Sequence, residues 1–231
     1  MVVLKASLNE IPLELVLTLP RSRTDTFDIM YQDENYIYFI PVRDNVIRFV
    51  GRSPRLGLFE ESFFNSDPFW TIPLIIENHM QTYQQIIDNN AYYKQSPLLK
   101  KTAKKKFYED LILTFFIAEK GEVAFSFDIY KDNIPSETEY PLDTIALELE
   151  DYKLQMEFLR EAIPLDAVPK LKVDDLEQLE GHLGPIDWLI FSLINEQRTV
   201  QDIALESGIG FRETLSILNK LNEAEFIELA R

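Results

Sequence analysis

Few residues of this chain belong to types that carry chemistry, and they are scattered. There are two histidines, His79 and His182, and no cysteine. His79 stands among apolar neighbours in a helical pattern, and His182 in a charged stretch bounded by Pro and Gly. Neither has the second histidine of an H-E-x-x-H pair or a thiolate nearby, so no zinc site is expected. Nucleophilic catalysis needs a base placed beside a hydroxyl or thiol, and no such arrangement is evident. Carboxylates cluster at Glu60-Glu61, at Glu148, Glu150 and Asp151, and at Asp174-Asp175. Paired carboxylates work as acid and base, but solvated helix faces carry the same pattern. An enzyme with a carboxylate site is therefore the weakest of three functional readings. With 7 glycines and neither G-x-x-x-x-G-K-[ST] nor G-x-G-x-x-G, a phosphate-cradling loop is not expected. No catalytic, metal-binding or cofactor-binding residue is assigned, and no metal or organic cofactor is expected.

Three other patterns bear on binding. Five lysines, Lys100, Lys101, Lys104, Lys105 and Lys106, stand together in a chain whose net charge is −16. They are a candidate docking surface for an acidic partner or a phosphate. The plainer reading is a solvated first helical turn, electrostatically odd because cations favour the last turn of a helix. The second pattern is Asp202-Ile203-Ala204-Leu205-Glu206-Ser207-Gly208, in which Ala permits close helix approach and Gly a tight turn, as in a helix-turn-helix. DNA binding through the helix that follows is the runner-up function. Charge opposes it: Glu196 to Arg231 holds four basic residues against seven acidic ones, a net of −3, and the phosphate attraction of DNA binders is missing. The third is the aromatic group Phe59, Phe63, Phe64, Phe69 and Trp70, a partner surface or, preferred, a loop plugged onto the core.

These residues require elements to hold them. Ser7-Leu8-Asn9-Glu10 fits a capping box, but Pro12 suits the first position of a helix better than its interior. A turn at Ser7–Ile11 and a short helix from Pro12 to about Leu19 are expected. Phe27–Tyr31, Tyr36–Val42 and Val46–Gly51 form a β-meander, its middle strand apolar on both faces. A helix runs from Pro73 to about Asn89 with Ile76, Met80, Tyr83 and Ile87 as its stripe. A second covers about Ala103–Glu119, with Gly121 as C-cap. Glu122–Tyr130 alternates as a half-buried strand, and a third helix runs from Asp143 to about Ala162, stopped by Pro164. Pro185–Asn195, Val200–Ser207 and Phe211–Ala224 make a compact helical unit, with Thr199 as a cap and Phe226–Leu229 as the strand of a wing.

Hydrophobic residues make up 46% of 231 residues, enough for a core and too many for disorder. Without cysteine no disulfide scaffold forms. Met1-Val2-Val3-Leu4-Lys5 lacks the basic region and apolar run of a signal peptide, and no apolar run reaches membrane-spanning length. A soluble cytoplasmic protein is expected, with no membrane and no nucleic acid as partner.

Leu4-Lys5-Ala6-Ser7-Leu8-Asn9-Glu10-Ile11-Pro12-Leu13 resembles the opening of the PATAN domain, a bacterial signalling-associated domain of unknown biochemical activity. Val123-Ala124-Phe125-Ser126-Phe127 after Gly121 is similar to its aromatic strand, and Leu142–Pro164 to its long acidic helix ending in Ile-Pro. Ile186–Ile194 and Arg198–Gly208 are similar to its terminal helical unit. The chain departs at Ala6, where the family has Gly, and at Phe39-Ile40-Pro41-Val42, where it has a Phe-x-x-Gly turn. The resemblance implies a non-catalytic protein-interaction module, acting here as a stand-alone adapter, and it defines no functional residues. The expected fold is α+β, an antiparallel meander with several long helices followed by a small winged-helix-like unit. The expected division is residues 1–170, a linker at 171–184, and 185–231. The partner is another protein, and self-association stays open.

Overall fold

The computed structural model describes residues 3–13, 24–54, 68–127, 129–173, 179, 181 and 183–230. In chain order the elements are β1 (Val3–Ser7), β2 (Phe27–Gln32), β3 (Tyr36–Arg43), β4 (Val46–Ile47) and β5 (Gly51–Pro54). A 3₁₀ turn (Pro68–Thr71) leads into α1 (Ile72–Asn89), followed by α2 (Ala91–Gln95) and α3 (Pro97–Phe116). Then come β6 (Glu122–Ser126), β7 (Tyr140–Pro141), α4 (Leu142–Ala162) and β8 (Val168–Leu171). The chain closes with α5 (Pro185–Phe191), α6 (Val200–Ser207), α7 (Phe211–Glu223) and β9 (Ile227–Ala230). The fold is mixed α+β, with an antiparallel sheet and several long helices. No described helix is long and apolar enough to cross a membrane.

Two compact units share these elements, each drawing on two stretches: Met1–Gln84 with Leu111–Leu149, and Gln85–Asp110 with Glu150–Arg231. The sequence suggested one division near residue 170 instead.

The first unit is a sheet in the order β1-β6-β2-β3-β4-β7, with β5 also paired to β3. The meander β2-β3-β4 is present, but its third strand is only Val46–Ile47, and Gly51 opens the separate strand β5 where Val46–Gly51 was expected as one. Between β2 and β3 the Asp33 carboxylate accepts from the Asn35 and Tyr36 amides at 2.8 and 2.7 Å. Positions Ile37 to Val42 of β3 are buried on both faces, as their apolar run requires. β6 is shorter than the alternation suggested. It ends at Ser126, which pairs with Val3 of β1 on one side and Asp28 of β2 on the other. Held between two strands, it buries Ala124 and Ser126 as well as Val123 and Phe125, so it is not half-exposed. The stripe of α1 in this unit is Ile72, Ile75, His79 and Tyr83, not Ile76 and Met80. His79 is a core residue there, its ring edge-on to Phe49 at 5.4 Å. Expected features at 14–23 and 55–67, including the body of the Pro12–Leu19 helix, lie outside the described residues.

In the second unit β8 and β9 pair antiparallel, Val168 with Ala230 through Leu171 with Ile227. Between them lie α5, α6 and α7, the winged-helix-like arrangement. Thr199 caps α6 reciprocally with Asp202: the Asp202 amide donates to the Thr199 hydroxyl at 3.1 Å, and the Thr199 amide to the carboxylate at 3.0 Å. Gly208 ends α6 in the left-handed conformation. Leu189, Ile203, Ile209, Leu215, Leu218 and Leu221 form the small core. The ladder enters the stretch expected as a linker, since the Lys172 amide donates to the Phe226 carbonyl at 3.0 Å. Residues 174–178, 180 and 182 of that stretch lie outside the described residues.

Of the described glycines in the first unit, Gly121 is the more tightly enclosed, and its φ is +111°. A Cβ there would sit 2.4 Å from the Gln32 carbonyl oxygen and 2.7 Å from the Tyr31 ring. Tyr31 is itself fixed, its hydroxyl donating to the Lys120 carbonyl at 2.8 Å. Gly121→Ala is expected to cost about 2–3 kcal/mol through backbone strain and overpacking, read as a lowered urea midpoint with an unchanged slope.

Candidate functional site

The lysines sit on α3, which begins earlier than expected. Ser96 precedes Pro97, the proline occupies the first helical position, and the Ser96 hydroxyl accepts from the Leu99 amide at 3.2 Å. Lys101 to Lys106 therefore lie beyond the first turn, and the conflict with the helix dipole largely disappears. At 100° per residue the lysines do not share one face. Lys101 and Lys105 are exposed on the side that also carries Leu98, which is 75% exposed. Lys105 reaches Glu109 at 3.4 Å, an exposed pair of little energetic weight. Lys106 turns the other way and pairs with Glu213 at 2.8 Å.

Glu213 belongs to α7, the helix that would read DNA, and its first turn is held by a residue the sequence analysis did not single out. Asp110, on the buried stripe of α3 after Ala103 and Phe107, is 4% exposed. Its carboxylate accepts from the Phe211 amide at 2.7 Å, from the Arg212 amide at 3.2 Å and from the Tyr152 hydroxyl of α4 at 2.8 Å. It supplies the cap that Gly210, at the N-cap position, lacks a side chain to give. A Cβ on Gly210 would stand 2.6 Å from the Asp110 Cβ, so the glycine is what lets the carboxylate reach the helix end. The Arg212 guanidinium lies over the Tyr152 ring, 5.0 Å from its centre. Burial pushes the Asp110 carboxyl above the ordinary range, opposed by the Tyr152 hydroxyl, the two amides and Arg212. A negative group at a helix N-terminus is where the dipole favours it.

The turn before α7 is equally closed. Tyr93 of α2 donates its hydroxyl to the Ser207 carbonyl. The Thr214 hydroxyl donates to the Gly210 carbonyl at 2.8 Å and meets the Ser207 hydroxyl at 3.1 Å. Further along α7, Lys220 pairs with Asp187 at 2.6 Å.

The remaining candidates are dispersed. His79 accepts the Arg52 amide on Nδ1 at 3.2 Å and serves packing. Glu148 accepts from the Tyr140 hydroxyl, and Asp151 from the Gln155 amide group at 2.7 Å. Phe69 is buried, while Trp70 is 58% exposed. His182, Glu60, Glu61, Asp174, Asp175, Phe59, Phe63 and Phe64 lie outside the described residues. Among the described residues no three His, Asp or Glu side chains gather as a metal set. No known family model, curated protein or solved structure matches this chain. The Asp110 cap was open to one sequence signal: a lone acid on the buried stripe of an apolar helix needs donors from elsewhere.

Removing the carboxylate leaves two helix amides and a tyrosine hydroxyl without their acceptor. Asp110→Ala is expected to destabilise by about 2–4 kcal/mol and Tyr152→Phe by about 1–2 kcal/mol. The double variant should cost less than the sum, because both remove one shared bond. Denaturant unfolding of the four proteins measures all three quantities.

Proposed function

We propose that this protein is a non-catalytic protein–protein interaction module, an adapter in bacterial signalling or regulation of the kind its PATAN resemblance implies. The observation that carries the proposal is the filled first turn of α7. Helix-turn-helix proteins read bases with the N-terminal residues of the second helix. Here the amides of Phe211 and Arg212 are bonded to Asp110, Glu213 is ion-paired to Lys106, and Arg212 stacks on Tyr152. Lys220, the remaining cation of the helix, is paired with Asp187. A helix so engaged has neither a reading end nor the phosphate-binding charge on which affinity for DNA rests. The winged-helix-like unit then serves packing and protein contact.

The exposed lysines of α3, Lys101 and Lys105 with the half-buried Lys100 and Lys104, are the docking face for an acidic surface. Exposed lysines add little to stability, but their summed field speeds association with an opposite charge.

Fluorescence anisotropy with mixed-sequence duplex DNA at about 50 mM salt, where electrostatic binders are tightest, tests the assignment. No binding is expected through the micromolar range. Submicromolar affinity falling steeply with salt would replace the adapter by a transcription regulator. In parallel, Lys101→Glu, Lys104→Glu and Lys105→Glu together should abolish capture of a protein partner while leaving the thermal melt in place. Capture that survives the triple change would remove the lysine face from the proposal.

A further inference from the structure

The second unit exposes two helix faces of opposite character. On α4, Leu154 and Phe158 are 60% and 59% exposed, one turn apart. At 100° per residue, Glu150, Asp151, Glu157 and Glu161 fall with them inside about 120° of arc, and no basic residue of this part of the helix enters it. All four acids are exposed. Tyr152 lies about 160° round the helix from Leu154, and it is Tyr152 that bonds Asp110 of α3. The acidic and apolar face therefore points away from α3 of the same copy. On α3, Leu98, Lys101 and Lys105 fall within about 60° of arc, opposite the buried line Leu99, Ala103 and Phe107. This is a basic face with an exposed leucine at its head, 75% accessible.

We infer that these two faces dock to each other between two copies of the chain. The α3 face of one copy lies on the α4 face of the next, and because the two faces point in opposite directions within one copy the contact is head-to-tail and repeats from copy to copy. Three features select a second copy as the occupant. An acidic apolar helix face is covered most favourably by a basic helix carrying an apolar side chain, which desolvates Leu154 and Phe158 and gives the four acids partners. The chain carries such a helix in α3, its one lysine cluster against a background of −16. Finally, the two faces look away from each other within one copy, so the match is met only between copies. The inference rests on the lysines of α3 being a docking face, but not on the existence of an outside partner.

Sedimentation velocity of the full chain across the micromolar range, at low and high salt, tests it. Self-association that grows with concentration beyond a pair and weakens as salt rises is expected. Lys101→Glu with Lys105→Glu places acid against acid, and Glu157→Lys with Glu161→Lys places base against base. Each pair should weaken self-association about tenfold or more. Mixing the two variants in equal amounts should restore association, because the reversed α3 of one then meets the reversed α4 of the other and, at the next contact, the native faces meet as well. That rescue separates docking from misfolding. A wild type that stays monomeric at low salt, self-association indifferent to both reversals, or reversals without rescue would each overturn the inference. A monomer that loses another protein's capture with the α3 lysines reversed would refute self-docking while sparing the adapter. A self-associating chain that captures nothing would do the opposite.

Discussion

The second unit depends on one buried carboxylate. Asp110 gives up water at a cost of several kcal/mol, and that cost is offset only because three donors converge on it from two distant stretches of chain. Two of them are the orphan amides of α7, the other is Tyr152. The positions of α3, α4 and α7 are thereby made interdependent. Gly210 has to be a glycine for the carboxylate to approach, and Phe211 has to begin the helix where it does. Lys106 and Glu213 add a bridge beside it, half-exposed and correspondingly weaker. An apolar residue at position 110 would fill the space without saying where α7 starts.

The first unit contains a related device. Asp28 is buried on β2, its carboxylate 2.6 Å from the Arg43 guanidinium of β3 and accepting the Tyr130 amide at 2.6 Å. Arg43 in turn donates to the carbonyls of Phe27, Val42 and Tyr130. Burial raises the Asp28 carboxyl above the ordinary range, and Arg43 with the Tyr130 amide opposes the rise. Slipping β2 against β3 by one residue would turn Asp28 to the opposite face, away from both partners. The ion pair therefore specifies register more than it adds stability.

Local patterns were legible in the sequence and long-range partners were not. Thr199 and Asp202, three residues apart, announce the start of α6. The apolar run of β3 announces burial on both faces, and of the α4 stripe Ile145, Leu149, Tyr152, Met156 and Leu159 all are buried except the half-buried Leu149. Of the expected α1 stripe, Tyr83 and Ile87 are buried while Ile76 and Met80 are half-buried, because His79 takes the core position between Ile75 and Tyr83 at helical spacing. α3 begins at Pro97 and not near Ala103, because Ser96-Pro97 carries the capping chemistry ahead of the lysines. β8 was missed because Val168–Leu171 contains Pro169 and gains its partner only from β9. Asp110 stayed hidden for the same reason: its meaning lies in residues 211 and 212, which no local window contains.

The position of β6 has a consequence for how the chain is made. The strand lies between β1 and β2, so neither of those two has its inner neighbour until the ribosome has passed Ser126. Until then the nascent chain holds the β2–β3 hairpin with one long edge bare, and β1 has no sheet to join. Bare edges recruit other strands, and non-local pairings close slowly because the loop entropy is met before the contacts form. The stretch of synthesis between Arg43 and Ser126 is therefore when the first unit is most exposed to misassembly.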